Sequence, residues 1–95
     1  INGVVQWATL AESAGLDIQI GTEWGLGLKV AAKLHLGGSI KNAHPAVEFT
    51  EFMIHDLLLK DPLTLTDGYL TLPNDPGLGL ELDEDKLEEY RTPGL

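Results

Sequence analysis

Cysteine is absent from the 95 residues, so neither a disulfide framework nor thiolate chemistry is available. Lysine and arginine are scarce, six against fifteen aspartates and glutamates, which gives a formal charge of -9. Nucleic acid and anionic membrane surfaces are poor partners for such a chain, because both need basic side chains to displace counterions. No apolar run approaches the roughly 18 residues that a membrane-spanning helix needs. The opening, INGVVQWATL, has no basic stretch followed by a cleavage site and no initiator methionine. The expectation is a processed chain or a piece of something longer, without a secretory signal and with the cytoplasm as the favoured compartment. At this length a single domain buries only about 60 to 70 % of its unfolded surface, so its core should be thin.

The charge is unevenly spread. Residues 1–60 carry six acids and four bases, whereas residues 61–95 carry nine acids and two bases. A nearly neutral front rich in Ala, Leu and Gly thus gives way, near KDPLTLTDGY, to an acidic tail punctuated by Pro and Gly. In the front, Val4, Trp7, Ala8, Ala11 and Ala14 recur at helical spacing, predicting a helix over about 4–14 with that stripe in the core and Gly15 as its left-handed cap. Leu16, Ile18 and Ile20 alternate with Asp17 and Gln19, the period of a strand over about 16–20. A second amphipathic helix is expected over 26–36, closed by Gly37 and Gly38. AVEFTE, residues 46–51, reads as a second strand, and FMIHDLLLK as a short third helix stopped before Asp61 and Pro62. In the tail, two strand-like runs flank a Pro-Asn-Asp-Pro-Gly turn and precede a short helix that Asp83 can cap.

Alternating helices and strands with short connections are the grammar of βαβ units, so the two strands should lie parallel. Two parallel strands alone do not make a fold, and this front reads as a slice of a larger barrel or wound sheet. If Leu16, Ile18 and Ile20 face the helices, then Asp17, Gln19, Gly21 and Glu23 share the opposite face, which in a closed parallel barrel is the lumen. Glu23 would then stand at the C-terminal mouth of its strand, where such barrels keep their active sites. The next strand repeats the pattern with Glu48, Thr50 and Glu51. Paired acids at such a mouth suit general acid/base work or contact with a bound cation, although an acid at a strand end also serves as a plain cap or dipole partner. Gln19 on the same face, Trp24 beside the first acid and Glu51 beyond the second are the candidate substrate-binding residues. Gly25 and Gly27 are explained as well by close packing as by a phosphate-binding turn. His35, His44 and His55 match no zinc spacing and read as surface or packing residues, and the acidic run ELDEDKLEEY reads as a solvated helix face.

The segments GTEWGLGLKVAAKLHLGGSI, HPAVEFTEF and DGYLTLPNDPGLGLELDEDKLEEYR resemble the C-terminal end of the enolase superfamily, in its mandelate racemase and muconate lactonizing branch. The likeness runs through the whole chain. It implies an α/β fold, the C-terminal part of a modified (β/α)8 TIM barrel. Residues 1–60 would supply about strands 7 and 8 with flanking helices, and the acidic tail, residues 61–95, would return toward an α+β capping domain. It further implies a Mg²⁺-dependent enzyme that abstracts the proton α to a carboxylate, of the racemase, epimerase or cycloisomerase type. By position Glu23 is similar to the acid that muconate-cycloisomerase-like members carry on strand 7, and Glu48 to the strand-8 acid of mandelate racemase. Either would hydrogen-bond the enolate if burial keeps it protonated.

The chain departs from the pattern where mandelate-racemase-like members carry a histidine at the position of Glu23. None of Lys29, Lys33, Lys41, Lys60 or Lys86 lies in a Lys-x-Lys motif. The bases and the Mg²⁺ ligands are therefore expected in a complementary N-terminal segment, with no metal ligand in this chain, which would be inactive alone. A small carboxylate substrate and a homo-oligomer complete the implied setting. Two rival readings stay open: a sugar-acid dehydratase of the same superfamily, and a non-enzymatic acidic α/β module that binds a partner through its incomplete sheet.

Overall fold

The computed structural model of the protein describes residues 1–21, 25–50, 53 and 56–93. Two helices, α1 (Asn2–Ser13) and α2 (Gly27–Ser39), precede a small antiparallel hairpin, β1 (Leu65–Thr66) and β2 (Tyr69–Leu70), and a short helix, α3 (Glu84–Glu89).

The C-terminus of α1 is closed by a Schellman arrangement. Gly15 takes φ +69°, its N–H bonds to Glu12 O at 2.9 Å, and Leu16 N–H reaches back to Ala11 O at 2.9 Å. A side chain at Gly15 would be strained in that left-handed conformation. Of the apolar stripe expected in the core, only Ala8 is buried; Val4 is exposed and Trp7 is 71 % exposed. The helix instead turns Val5, Ala8, Thr9 and Glu12 toward residues 39–42, about one residue position, or 100°, round from the expected stripe. Asn42 fixes that orientation by donating from Nδ2 to Ala8 O at 3.1 Å and to Leu16 O at 2.9 Å.

From Leu16 the chain runs extended and pairs in parallel with the segment that follows α2. Ile18 bridges Ala43, with Ile18 N–H to Asn42 O at 2.9 Å and His44 N–H to Ile18 O at 2.8 Å. The next bond, Glu48 N–H to Ile20 O at 3.3 Å, is displaced two residues along the second segment. Pro45 has no N–H to give, and Ala46 N–H is taken locally by His44 Nδ1 at 3.1 Å, so the pairing skips these residues and resumes. A slip of two preserves which side chains share a face. The strands expected at 16–20 and 46–51 do not form as regular strands among the described residues; the two segments are parallel neighbours through one bridge, Ile18 to Ala43, and the later bond from Glu48 to Ile20.

Helix α2 is the centre of packing, with Val30 and Ala31 fully buried and Gly27 and Lys33 nearly so. It does not stop at Gly37 and Gly38 as the sequence predicts. Those glycines are spent on close approach: a Cβ at Gly37 would stand 3.4 Å from Ile20 Cδ1, and one at Gly38 would stand 3.3 Å from Leu72 Cδ1. The tail lies against the same helix, with His35 Nε2 donating to Leu78 O at 3.1 Å.

The third helix expected over FMIHDLLLK is overturned within the described residues. Leu58 adopts φ +57°, its N–H is taken by Asp56 Oδ1 at 2.8 Å, and Leu59 pairs antiparallel with Leu82. The apolar run is the buried partner of the tail, an ambiguity that a short run of leucines always carries. Lys60 N–H to Glu81 O and Asp83 N–H to Leu58 O complete the strap, and Lys86 Nζ holds Asp56 at 3.0 Å. The expected turn of the tail also moves: the hairpin closes over Asp67 and Gly68, ahead of the Pro-Asn-Asp-Pro-Gly stretch. Asp83 caps α3 as expected, accepting from Lys86 N–H at 3.2 Å.

Residues 57–59 sit directly on the start of α2, where Gly27 N–H bonds to Leu57 O at 3.1 Å. An added Cβ at Gly27 would meet Leu59 Cγ at 2.5 Å and Leu57 O at 2.7 Å. Gly27→Ala is therefore expected to destabilise the intact protein by about 1–3 kcal/mol through overpacking, measured by denaturant unfolding. The exposed pair of Lys60 and Glu81, 2.8 Å apart, makes a smaller, pH-dependent contribution. The hydrogen bond and charge of Lys60 hold the Glu81 carboxyl below its usual range, while Glu81 raises Lys60. The carboxylate contribution is present above the ordinary glutamate value of about 4.3 and disappears as pH falls through the lower folded value. Glu81→Gln should accordingly lower the melting temperature slightly at neutral pH and leave it unchanged in strong acid, where both proteins carry a neutral side chain.

Candidate functional site

The two parallel segments sort their side chains as a pleat requires. Ile20 and Val47 face α2, both meeting it at Gly37. Gln19, Gly21 and Glu48 fall on the opposite side and with Ala46 line an open hollow of about 440 Å³ that Val47 also borders. The absence of a side chain at Gly21 leaves the Glu48 carboxylate in reach of this space: Oε2 stands 4.0 Å from where a Cβ at Gly21 would lie. Gln19 and Glu48 are both exposed. The burial expected around Glu48 is thus not supplied by these residues.

Chemically the hollow offers an amide that donates and accepts and a carboxyl group that accepts when ionised and donates when protonated. That pairing suits a small, oxygen-rich ligand. Of the residues singled out in the sequence, the structure brings together Gln19 and Glu48. Glu23, Trp24, Glu51 and His55 lie outside the described residues. His35 and His44 bond to main-chain atoms, at Leu78 and Ala46, as packing residues do. The Gly27 alternatives resolve toward close packing, on residues 57–59.

Sequence reasoning passed over Lys33. It is 7 % exposed, and its Nζ lies 5.8 Å from the centroid of the Phe49 ring, the residue next to Glu48. Its signal was present in the helical spacing, since Lys33 falls one turn beyond Val30 on the buried side of α2.

Among the described residues, no three His, Asp or Glu side chains gather as a metal ion would require. The resemblance expects the Mg²⁺ ligands in a preceding segment, and no chemistry is assigned to a metal held by these residues. No helix among the described residues is long and apolar enough to cross a membrane.

Comparison with known proteins gives the geometry a context. A family model described as enolase C-terminal domain-like matches residues 1–86. Muconate cycloisomerase 1-1 of Acinetobacter lwoffii is 36 % identical over 89 residues, 93 % of this chain and 24 % of that protein. D-galactarolactone cycloisomerase of Agrobacterium fabrum is 34 % identical over 95 residues, covering 90 % of this chain and 25 % of the relative. Among solved structures, the muconate lactonizing enzyme from Klebsiella pneumoniae matches with TM-score 0.80 and 37 % identity over 90 % of this chain and 24 % of its own. An enolase from Streptomyces coelicolor, described as a putative sugar isomerase, matches with TM-score 0.84 and 32 % identity, over 90 % of this chain and 23 % of that one. The chain spans about a quarter of the length of the curated relatives it matches. Both the sequence and the fold of these residues therefore place the chain in the enolase C-terminal domain-like family.

Proposed function

We propose that these residues are the closing segment of an enolase-superfamily isomerase of the cycloisomerase type that acts on a small carboxylate. In this reading residues 1–60 supply the last strands and helices of a (β/α)8 barrel, and residues 61–95 strap them toward a capping domain. Glu48 and Glu23 are the substrate-facing acids, with Gln19, Trp24 and Glu51 lining the same mouth. The bases that move the substrate proton, and the ligands of any Mg²⁺, belong to a preceding N-terminal segment.

The observation that carries the reading is the parallel pairing that sets Gln19, Gly21 and Glu48 around one hollow, in a chain whose matched relatives are named cycloisomerases. An acid at the C-terminal end of a barrel strand is where substrate chemistry occurs in such folds. The apolar surface left open supports the need for more protein around it: Trp7, Leu10 and Leu16 are each at least 60 % exposed. Exposed apolar area of that kind marks an interaction surface. The sugar-acid dehydratase and the free-standing interaction module draw no separate support from the geometry. Assembly into a homo-oligomer and a cytoplasmic setting stay part of the proposal.

The intact protein should convert muconate or D-galactarolactone, the compounds named in its relatives. Glu48→Gln keeps the shape of the side chain and removes its ability to exchange a proton. If Glu48 acts in the transition state, kcat should fall about 100-fold or more while KM changes little. Steady-state kinetics on both compounds checks this, and Glu23→Gln should give the same pattern. Wild-type kcat in the Glu48→Gln protein would remove Glu48 from the chemistry.

A further inference from the structure

We propose that Lys33 is a positioning residue for Glu48, holding the Phe49 ring from within α2 and so fixing the strand rotation that aims the Glu48 carboxylate over Gly21. The catalytic consequence rests on the role proposed for Glu48 above; the positioning itself rests on the geometry alone.

Lys33 is only 7 % exposed, in a helix whose other buried residues are Gly27, Val30 and Ala31. A lysine there desolvates a charge that leucine or methionine would not carry, so packing alone does not account for it. Its ammonium lies 5.8 Å from the Phe49 ring centroid, within the range in which a cation is attracted to an aromatic face. Phe49 shares the α2 side of its segment with Val47, by the alternation of a pleated strand. Its neighbour Glu48 must then point the other way, into the hollow lined by Gln19 and Gly21. Fixing one ring therefore fixes the direction of the adjacent carboxylate. Such an anchor has work to do, because the backbone bond from Glu48 to Ile20 is long at 3.3 Å and follows a two-residue slip. A functional side chain held by a buried partner keeps its geometry where backbone pairing is sparse.

The test uses the intact protein with Lys33→Met, Lys33→Arg and Phe49→Leu. Lys33→Met should lower kcat about tenfold or more with little change in KM, as a small misplacement does, and by more than its change in melting temperature accounts for. Lys33→Arg retains the cation and should restore most of the turnover. Phe49→Leu should reproduce the loss, and the Lys33→Met, Phe49→Leu double variant should be no worse than either single change. Losses that simply follow the melting temperature across the set, or wild-type kcat in Lys33→Met, would overturn the proposal.

A readout independent of turnover separates this inference from the reading of function. In the wild-type protein the ε-methylene protons of Lys33 should show an upfield ring-current shift in NMR spectra that is lost in Phe49→Leu. The ¹³C-labelled Glu48 carboxyl should give one sharp resonance that shifts or broadens in Lys33→Met. An unshifted Lys33 methylene, or an unchanged Glu48 resonance, sinks the positioning role even if the enzyme is active. Both signatures present in a protein that turns over neither compound would instead uphold the positioning and count against the proposed reaction.

Discussion

Parallel pairing between residues 18–20 and 42–48 is the constraint from which the candidate site follows. Period-two alternation sends Ile20 and Val47 toward α2 and leaves Gln19, Gly21 and Glu48 on the other side. Pro45 threatens that order, because it cannot donate to a ladder. The chain absorbs it by skipping two residues, with His44 taking the stranded Ala46 N–H. A skip of one residue would have reversed every side chain beyond it and turned Glu48 into the helix interface. The polarity of the hollow therefore depends on an even-numbered slip at a single proline.

Helix α2 makes the rest possible by being small on several sides at once. Gly37 admits Ile20 and Val47, Gly38 admits Leu72, and Gly27 admits residues 57–59. The parallel segments, the tail and the strap thus converge on one helix whose own apolar core is Val30 and Ala31. The strap is then secured from outside by Lys86 on Asp56 and by the bridge of Leu59 to Leu82. Lys86 is held above its ordinary range mainly by its hydrogen bond to Asp56, so on the lysine side this link persists through neutral pH and is lost only in strong alkali. Such partly exposed ion pairs add little individually, and the close packing at Gly27 contributes more.

Much of this was legible in the sequence, where local chemistry decides structure. The first helix, the Gly15 cap, the alternation through Ile18 and Ile20 and the Asp83 cap are each set by a few adjacent residues. The failures share a cause, namely that a distant partner decided the outcome. LLLK reads as helix until Leu82 arrives to pair with it, and Gly37 and Gly38 read as a stop until their neighbours need the space. The Trp7 stripe reads as core, but the face that Asn42 fixes toward residues 39–42 is a different one. Of the candidate site, Gln19 and Glu48 could be placed by parity alone. Lys33 has its helical spacing from Val30 as a signal, but its residue type argues for solvent, and only the Phe49 ring beside it shows what a lysine does there.

The most direct measurement is a crystal structure of the intact protein with a bound substrate carboxylate. A Glu48 oxygen should lie within hydrogen-bond reach of that ligand, about 2.6–3.2 Å, with Gln19 on the same wall and the bond from Glu48 N–H to Ile20 O retained. A ligand bound elsewhere, with Glu48 turned to bulk solvent or into the interface with α2, would contradict the site.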